Sequence, residues 1–183
     1  PNYEQAIIQH QSYIDALIKC GLDVLVLEPC EEYPDSTFVE DVALITPNCA
    51  IITRPGAPSR RGEVHEIEFV LKQRFNNIEA IEAPGTIEGG DIMMVGDHYF
   101  IGLSERTNLE GARQIIQILK KYGMSGSTIS LNKVLHLKTG LSYLEKNNLV
   151  VCGEFINDSY FGQYTPIEIP EKESYAANCI WVN

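Results

Sequence analysis

Long apolar runs are missing from these 183 residues, and no stretch approaches the ~20 apolar positions of a membrane span. No segment reads as a signal peptide. Basic residues are scarce: 14 Lys and Arg stand against 25 Asp and Glu, a formal net charge of −11. That balance argues against nucleic acid, whose phosphates need basic patches, and no membrane partner is expected. An acidic surface favours the approach of cations, though many soluble proteins are simply acidic. The five cysteines, Cys20, Cys30, Cys49, Cys152 and Cys179, form no CxxC pair. Their odd number and apolar neighbours point to reduced thiols in a cytoplasmic protein. No His, Cys, Asp or Glu set has metal-ligand spacing, and neither a metal nor a cofactor is expected. Gly89-Gly90 opens no phosphate loop, because no Lys-Ser or Lys-Thr follows. What is present, 44% hydrophobic and 21% charged residues, suffices for one soluble domain with a real core.

The strongest positive feature is a spacing. Glu40, Glu88 and His136 stand 48 residues apart, each just ahead of a short apolar run that reads as a strand. A repeated module places equivalent positions at equivalent points in space. Modules closed into a ring would bring two carboxylates and an imidazole to its axis, a site suited to a cationic, planar substrate that needs proton transfer. Second strands follow at Ala50–Thr53, Tyr99–Leu103 and Leu149–Cys152. They come after turns at Pro47-Asn48, Gly96-Asp97 and Lys146-Asn147-Asn148. A helix over about 62–75 carries Val64, Ile67, Leu71 and Phe75 on one face. Another over about 108–122 carries Ala112, Ile115, Ile116 and Leu119, with Gly123 as its stop. Third strands close the modules at Val24–Glu28, Ile78–Glu82, Ser127–Leu131 and Ile167–Ile169. The pattern is an α/β chain of ββαβ repeats, with a poorly marked third-module helix around Glu154–Tyr164.

The ends read as partial repeats. An amphipathic helix opens the chain, with Ile7, Ile14, Leu17 and Ile18 inward and Gly21 closing it. Ala177–Val182 resembles the first strand of a further module. The expectation is one domain over 1–183, about three repeats plus partial repeats at both ends, as an internal segment of a longer protein.

Five stretches carry a family resemblance in order along the chain: Pro34–Asp41, Arg54–Arg61, Glu88–Asp91, Gly102–Asn108 and His136–Lys138. Together they resemble the dimethylarginine dimethylaminohydrolases of the guanidine-modifying, or pentein, superfamily, over almost the whole segment. The resemblance implies an incomplete pentein-type α/β propeller of ββαβ repeats. It also implies hydrolysis of methylated arginine: a cysteine thiolate attacks the guanidinium carbon, a covalent thiouronium forms as dimethylamine leaves, and water releases citrulline. The implied partner is a small guanidino amino acid, and a homo-oligomer is allowed.

The resemblance also implies roles. Asp41 and Glu88 hold the guanidinium, whose planar fork suits paired hydrogen bonds. Asp35 and Glu40 contact or frame the substrate, so the 48-residue interval marks modules rather than ligands. Arg60 and Arg106 bind the α-carboxylate and its surroundings; a cation near a helix N-terminus opposes the helix dipole, which mildly favours function over accident. Arg61 is expected to be an exposed neighbour. His136 matches the general acid and base, a task for a group titrating near neutral pH. A lone histidine at a strand entrance is more often structural, but its register with Glu40 and Glu88 favours catalysis; His10, His65 and His98 lack that register. Gly89 and Gly90 let the backbone pass close beneath Glu88. The catalytic cysteine is expected beyond Asn183, with Cys179 a buried inert thiol and this segment alone inactive. Two alternatives stand: an arginine or agmatine deiminase of the same superfamily, and a non-catalytic pentein binding protein.

Overall fold

The computed structural model describes residues 2–182; Pro1 and Asn183, the outer limits of the partial repeats, lie outside them. The described chain divides into two compact units: residues 2–29 with 181 and 182, and Cys30–Ile180.

In the smaller unit, α1 spans Tyr3–Lys19. The Asn2 side chain caps it by accepting from the Gln5 N–H, and Gly21 follows with φ +84°, the left-handed stop expected there. Its apolar face is less buried than the spacing suggests: Ile14 and Leu17 are half-buried, but Ile7 and Ile18 are exposed. Val24–Glu28 forms no strand, and neither do residues 178–182, where one was expected. A strand exists by pairing, and among the described residues neither segment has a partner ladder.

The larger unit holds three modules of one strand pattern, the first two of them ββαβ. In the first, β1 (Ala43–Ile45) and β2 (Ala50–Ile52) form a hairpin. A 3-10 turn, Pro58–Glu63, leads into α2 (Val64–Lys72), and β3 (Ile78–Ala80) closes the module. The second repeats this with β4 (Ile92–Val95), β5 (His98–Leu103), α3 (Leu109–Lys121) and β6 (Ser125–Ser130). In the third, a four-residue helix α4 (Leu137–Gly140) precedes β7 (Leu141–Glu145), β8 (Asn148–Val151) and β9 (Thr165–Glu168). Two 3-10 turns, Gly153–Phe155 and Ser159–Phe161, replace the helix that was poorly marked in sequence. In every module the middle strand pairs antiparallel with the strand before it and parallel with the strand after it, giving three separate sheets.

Beyond their first residues, the middle strands are largely apolar because both their faces are covered. On β2, Ala50 and Ile52 pack on α2 through Leu71, while Ile51 joins a different core with Ile92, Tyr99, Ile101 and the α3 residues Ile115 and Leu119. On β5, Phe100 turns the other way, toward Leu137, Leu141, Leu149 and Phe161. The last two cores are shared between neighbouring modules, which fixes their relative placement and sets the loops ahead of β1, β4 and β7 side by side.

Candidate active site

Three short turns precede the three first strands: Val39–Val42, Gly89–Asp91 and α4. Glu88 and His136 occupy the same cap position ahead of theirs, each with extended backbone. In the first module that position belongs to Phe38, so the 48-residue register does not reach Glu40 structurally. The converging carboxylate there is Asp41, within the turn and buried. Carboxylate oxygens of Asp41 and Glu88 and a ring nitrogen of His136 all lie within 4.8 Å of one another. Among the described residues no cysteine sulfur belongs to that group.

Each carboxylate is anchored through one oxygen on a glycine N–H. Glu88, only 1% exposed, accepts the Gly56 N–H on Oε1 at 3.1 Å. Its Oε2 lies 3.5 Å from His136 Nε2 and 3.6 Å from Arg60 Nη1. Asp41 accepts the Gly90 N–H on Oδ1 at 2.9 Å and an Arg60 N–H on Oδ2 at 2.8 Å. Gly89 and Gly90 permit this approach: a Cβ on Gly89 would stand 2.1 Å from the Glu40 carbonyl oxygen, and one on Gly90 would stand 2.9 Å from Asp41 Oδ1. The close passage expected of this pair is what the structure has.

Arg60 lies within this cluster and not at an open rim. Its Nε donates to both Glu63 carboxylate oxygens at 3.1 Å, and Nη2 donates to Glu63 Oε2 at 2.8 Å and to the Asp35 carbonyl at 3.2 Å. Burial works against its charge, but Glu63 and Asp41 outweigh burial and raise its pKa further. Three carboxylates share one fixed cation, so the pocket stays anionic and can accept a second one. His136 shows the same balance: burial lowers its pKa, yet Asp91, Asp41 and Glu88 more than offset this and raise it above the ordinary value. The imidazole is thereby biased toward the charged form.

The remaining candidates sit farther out. Glu40 pairs with Lys138 Nζ at 2.6 Å, linking first and third modules at the surface. The Asp35 side chain is exposed, and its contribution within the protein is the backbone carbonyl already named. Arg106 is half-buried on the loop after β5, its backbone N–H donating to Ser104 Oγ at 3.0 Å, and Gly56 packs against its backbone. Arg61 is half-buried, its Nε donating to the Pro55 carbonyl at 3.3 Å, rather than exposed as expected. Cys179 is also only half-buried. Two charged residues escaped sequence reasoning. Glu63 carried one signal, its position three residues after Arg60 on a helical turn. Asp91 carried only its place in Glu88-Gly89-Gly90-Asp91; it is fully buried, accepting from Ser104 Oγ, Thr107 Oγ1 and the Leu137 N–H.

Modules of one strand pattern, presenting carboxylates and a histidine from the turns ahead of their first strands, define a guanidine-modifying protein of pentein fold. The N-terminal domain of a cyanobacterial arginine dihydrolase shares that fold at a TM-score of 0.88, with 18% identity, covering 100% of this chain and 71% of that one. The chain belongs to the dimethylarginine dimethylaminohydrolase family: the eukaryotic N,N dimethylarginine dimethylhydrolase profile matches residues 2–170. It is 62% identical to the N(G),N(G)-dimethylarginine dimethylaminohydrolase of Pseudomonas aeruginosa, over 100% of this chain and 72% of that protein. The Streptomyces coelicolor enzyme of the same name is 34% identical over 79% of this chain and 56% of that protein. A solved structure of the P. aeruginosa protein, a cysteine-to-serine mutant complexed with citrulline, superposes with a TM-score of 0.98 and 60% identity, covering 100% of this chain and 72% of that one.

Proposed function

We propose that this chain carries the guanidinium-binding and proton-transfer half of a dimethylarginine dimethylaminohydrolase, converting dimethylarginine and water to citrulline and dimethylamine. One observation carries the reading: in a member of this family, Asp41 and Glu88 carboxylate oxygens and a His136 ring nitrogen come within 4.8 Å of one another. The substrate's guanidinium lies against the carboxylates of Asp41 and Glu88, which hold positive charge on its central carbon and keep that carbon electrophilic. A cysteine thiolate adds to the carbon. The dimethylamine nitrogen departs with a proton from His136, leaving the thiouronium. His136, now neutral, takes a proton from water as the water oxygen attacks the same carbon. The C–S bond then breaks, and citrulline and the thiol are released.

Arg106, half-buried beside the cluster, is the better placed of the two arginines for the α-carboxylate, since the Arg60 guanidinium is already bound by Glu63 and Asp41. Asp35 and Glu40 frame the entrance. The thiolate comes from outside these 183 residues, a reading supported by the absence of a cysteine from the Asp41–Glu88–His136 group among the described residues. A reducing, cytoplasmic setting fits that thiol chemistry. The full-length gene product should release citrulline and dimethylamine from dimethylarginine at a kcat/KM far above its values for arginine and agmatine. Preference for arginine with ammonia release would replace this reading with a deiminase. Binding without turnover of any of the three would make the chain a guanidino-binding relative.

A further inference from the structure

Asp91 is the one fully buried carboxylate at the site that takes no part in the chemistry above. Its Oδ2 accepts from Ser104 Oγ at 2.7 Å and Thr107 Oγ1 at 2.6 Å, and its Oδ1 accepts from the Leu137 N–H at 3.1 Å. Three donors from two modules therefore fix the carboxylate in place. The same Oδ1 lies 3.3 Å from His136 Nδ1, which is buried and forms no hydrogen bond. A buried imidazole N–H without a partner is costly, and a small ring rotation would align it on Asp91. Hydrogen bonds of this kind are often long in unliganded enzymes and tighten when the site is occupied.

We propose that Asp91 is a positioning residue for His136: it claims the proton on Nδ1, so that Nε2, on the Glu88 side of the ring, is the atom that gives and takes the proton in turnover. This rests on the proton-transfer role given to His136 above. The other charged groups facing the ring are Glu88 at Nε2 and Asp41 from the first module, with Arg60 beyond them on Glu88 Oε2. On its own turn, Lys138 is engaged by Glu40. None of these reaches Nδ1. Gly90 faces the ring, where an added Cβ would lie 3.1 Å from Cγ, so a side chain at that position would crowd the imidazole. A ring pinned on one nitrogen presents the other nitrogen in a single orientation.

The test is a nitrogen-15 NMR titration of the histidines in the full-length protein, with the His136 signals assigned by their loss in His136→Gln. In the wild type, neutral His136 should carry its proton on Nδ1. In Asp91→Asn its titration midpoint should fall by about 1 or more on the pH scale. The limb of the kcat–pH profile governed by His136 should move with it. An unchanged midpoint and tautomer in a folded Asp91→Asn protein would overturn the proposal, even if turnover were lost. Should that variant not fold, the wild type alone decides: a neutral His136 protonated on Nε2 overturns it. These signals do not depend on which guanidine is the substrate. A protein inert toward dimethylarginine but with the Nδ1 tautomer in place would refute the functional reading and leave the Asp91 contact standing.

Discussion

Between β5 and β6 the second module carries a helix of 13 residues, whereas between β8 and β9 the third carries two 3-10 turns of 3 residues each. The sheets on either side are paired in the same way. Below α3 the core is largely aliphatic, with Ile115, Leu119, Ile101 and Ile51. Below the third module's turns it is aromatic: Phe161 meets Phe100, Phe155 and Tyr164 edge to face or tilted, with ring centroids 5.6 to 6.3 Å apart. Bulky rings, each burying more area than an aliphatic side chain, cover the sheet without a helical face to carry them. What all three modules share is strand pairing and a short turn at the site, not the helix. The cap differs too: the second module offers a carboxylate there, the third an imidazole.

The largest effect should come from removing the aromatic cover. Phe161→Ala should cost about 3–5 kcal/mol of unfolding free energy, a loss comparable to the about 2–5 kcal/mol expected for Leu119→Ala under α3. Urea unfolding that found Phe161→Ala nearly neutral would break the equivalence of the two slots. Next, Glu88→Gln tests the division between the caps. It should lower kcat of the full-length enzyme about 10²–10³-fold, by analogy with the loss of one preorganised electrostatic contact, with little change in stability because Arg60 keeps Asp41 and Glu63. Wild-type turnover in that variant would remove Glu88 from the mechanism.

The loop leading to His136 supplies a smaller test. Glu154 accepts backbone N–H groups from Asn132, Lys133 and Val134. Burial pushes its carboxyl upward, but those bonds prevail and hold it below the ordinary carboxylate value. A depressed carboxylate contributes stability above its unfolded value, and that contribution is lost as pH falls through the folded one. Glu154→Gln should thus cost about 1–2 kcal/mol near neutrality and flatten the acid loss. His136 runs the opposite way. Its raised pKa stabilises the fold below about 6.5, and the benefit disappears as pH rises through the higher folded value. His136→Gln should remove that slope from a plot of unfolding free energy against pH, whereas a retained slope would assign it to another group. Least of all, Lys138→Gln, which breaks the surface pair with Glu40, should change stability by about 0–1 kcal/mol, and salt should erase the difference.

The repeat was legible because strands and turns write locally: alternating pockets for Ile51 and Ala50, hairpin residues at Gly96-Asp97, a helix period in Ile115 and Leu119. Elements that depend on a partner were not. Val24–Glu28 and Ala177–Val182 have strand composition but no ladder among the described residues, and the exposed Ile7 and Ile18 show that an amphipathic period does not ensure burial. At the site, Glu88 and His136 were found by register. Asp41 needed the family resemblance, since the interval pointed to its neighbour Glu40. Asp91 and Glu63 were missed because their importance lies in contacts across modules or along one turn, which no spacing rule distinguishes from ordinary acidic residues.

Asp41 caps the Gly90 N–H of the second module, and Asp91 caps the Leu137 N–H of the third. The carboxylates around the pocket are thus also fasteners, each module latching the turn of the next. In a mechanical assembly, parts located from one another accumulate no independent play: shift one and its neighbour must follow. Loosening should therefore appear as whole-site disassembly, with imidazole and carboxylates lost together on the same melting curve as the modules that present them. Such a site would have no half-built state in which repelling acids stay clustered without the histidine they charge.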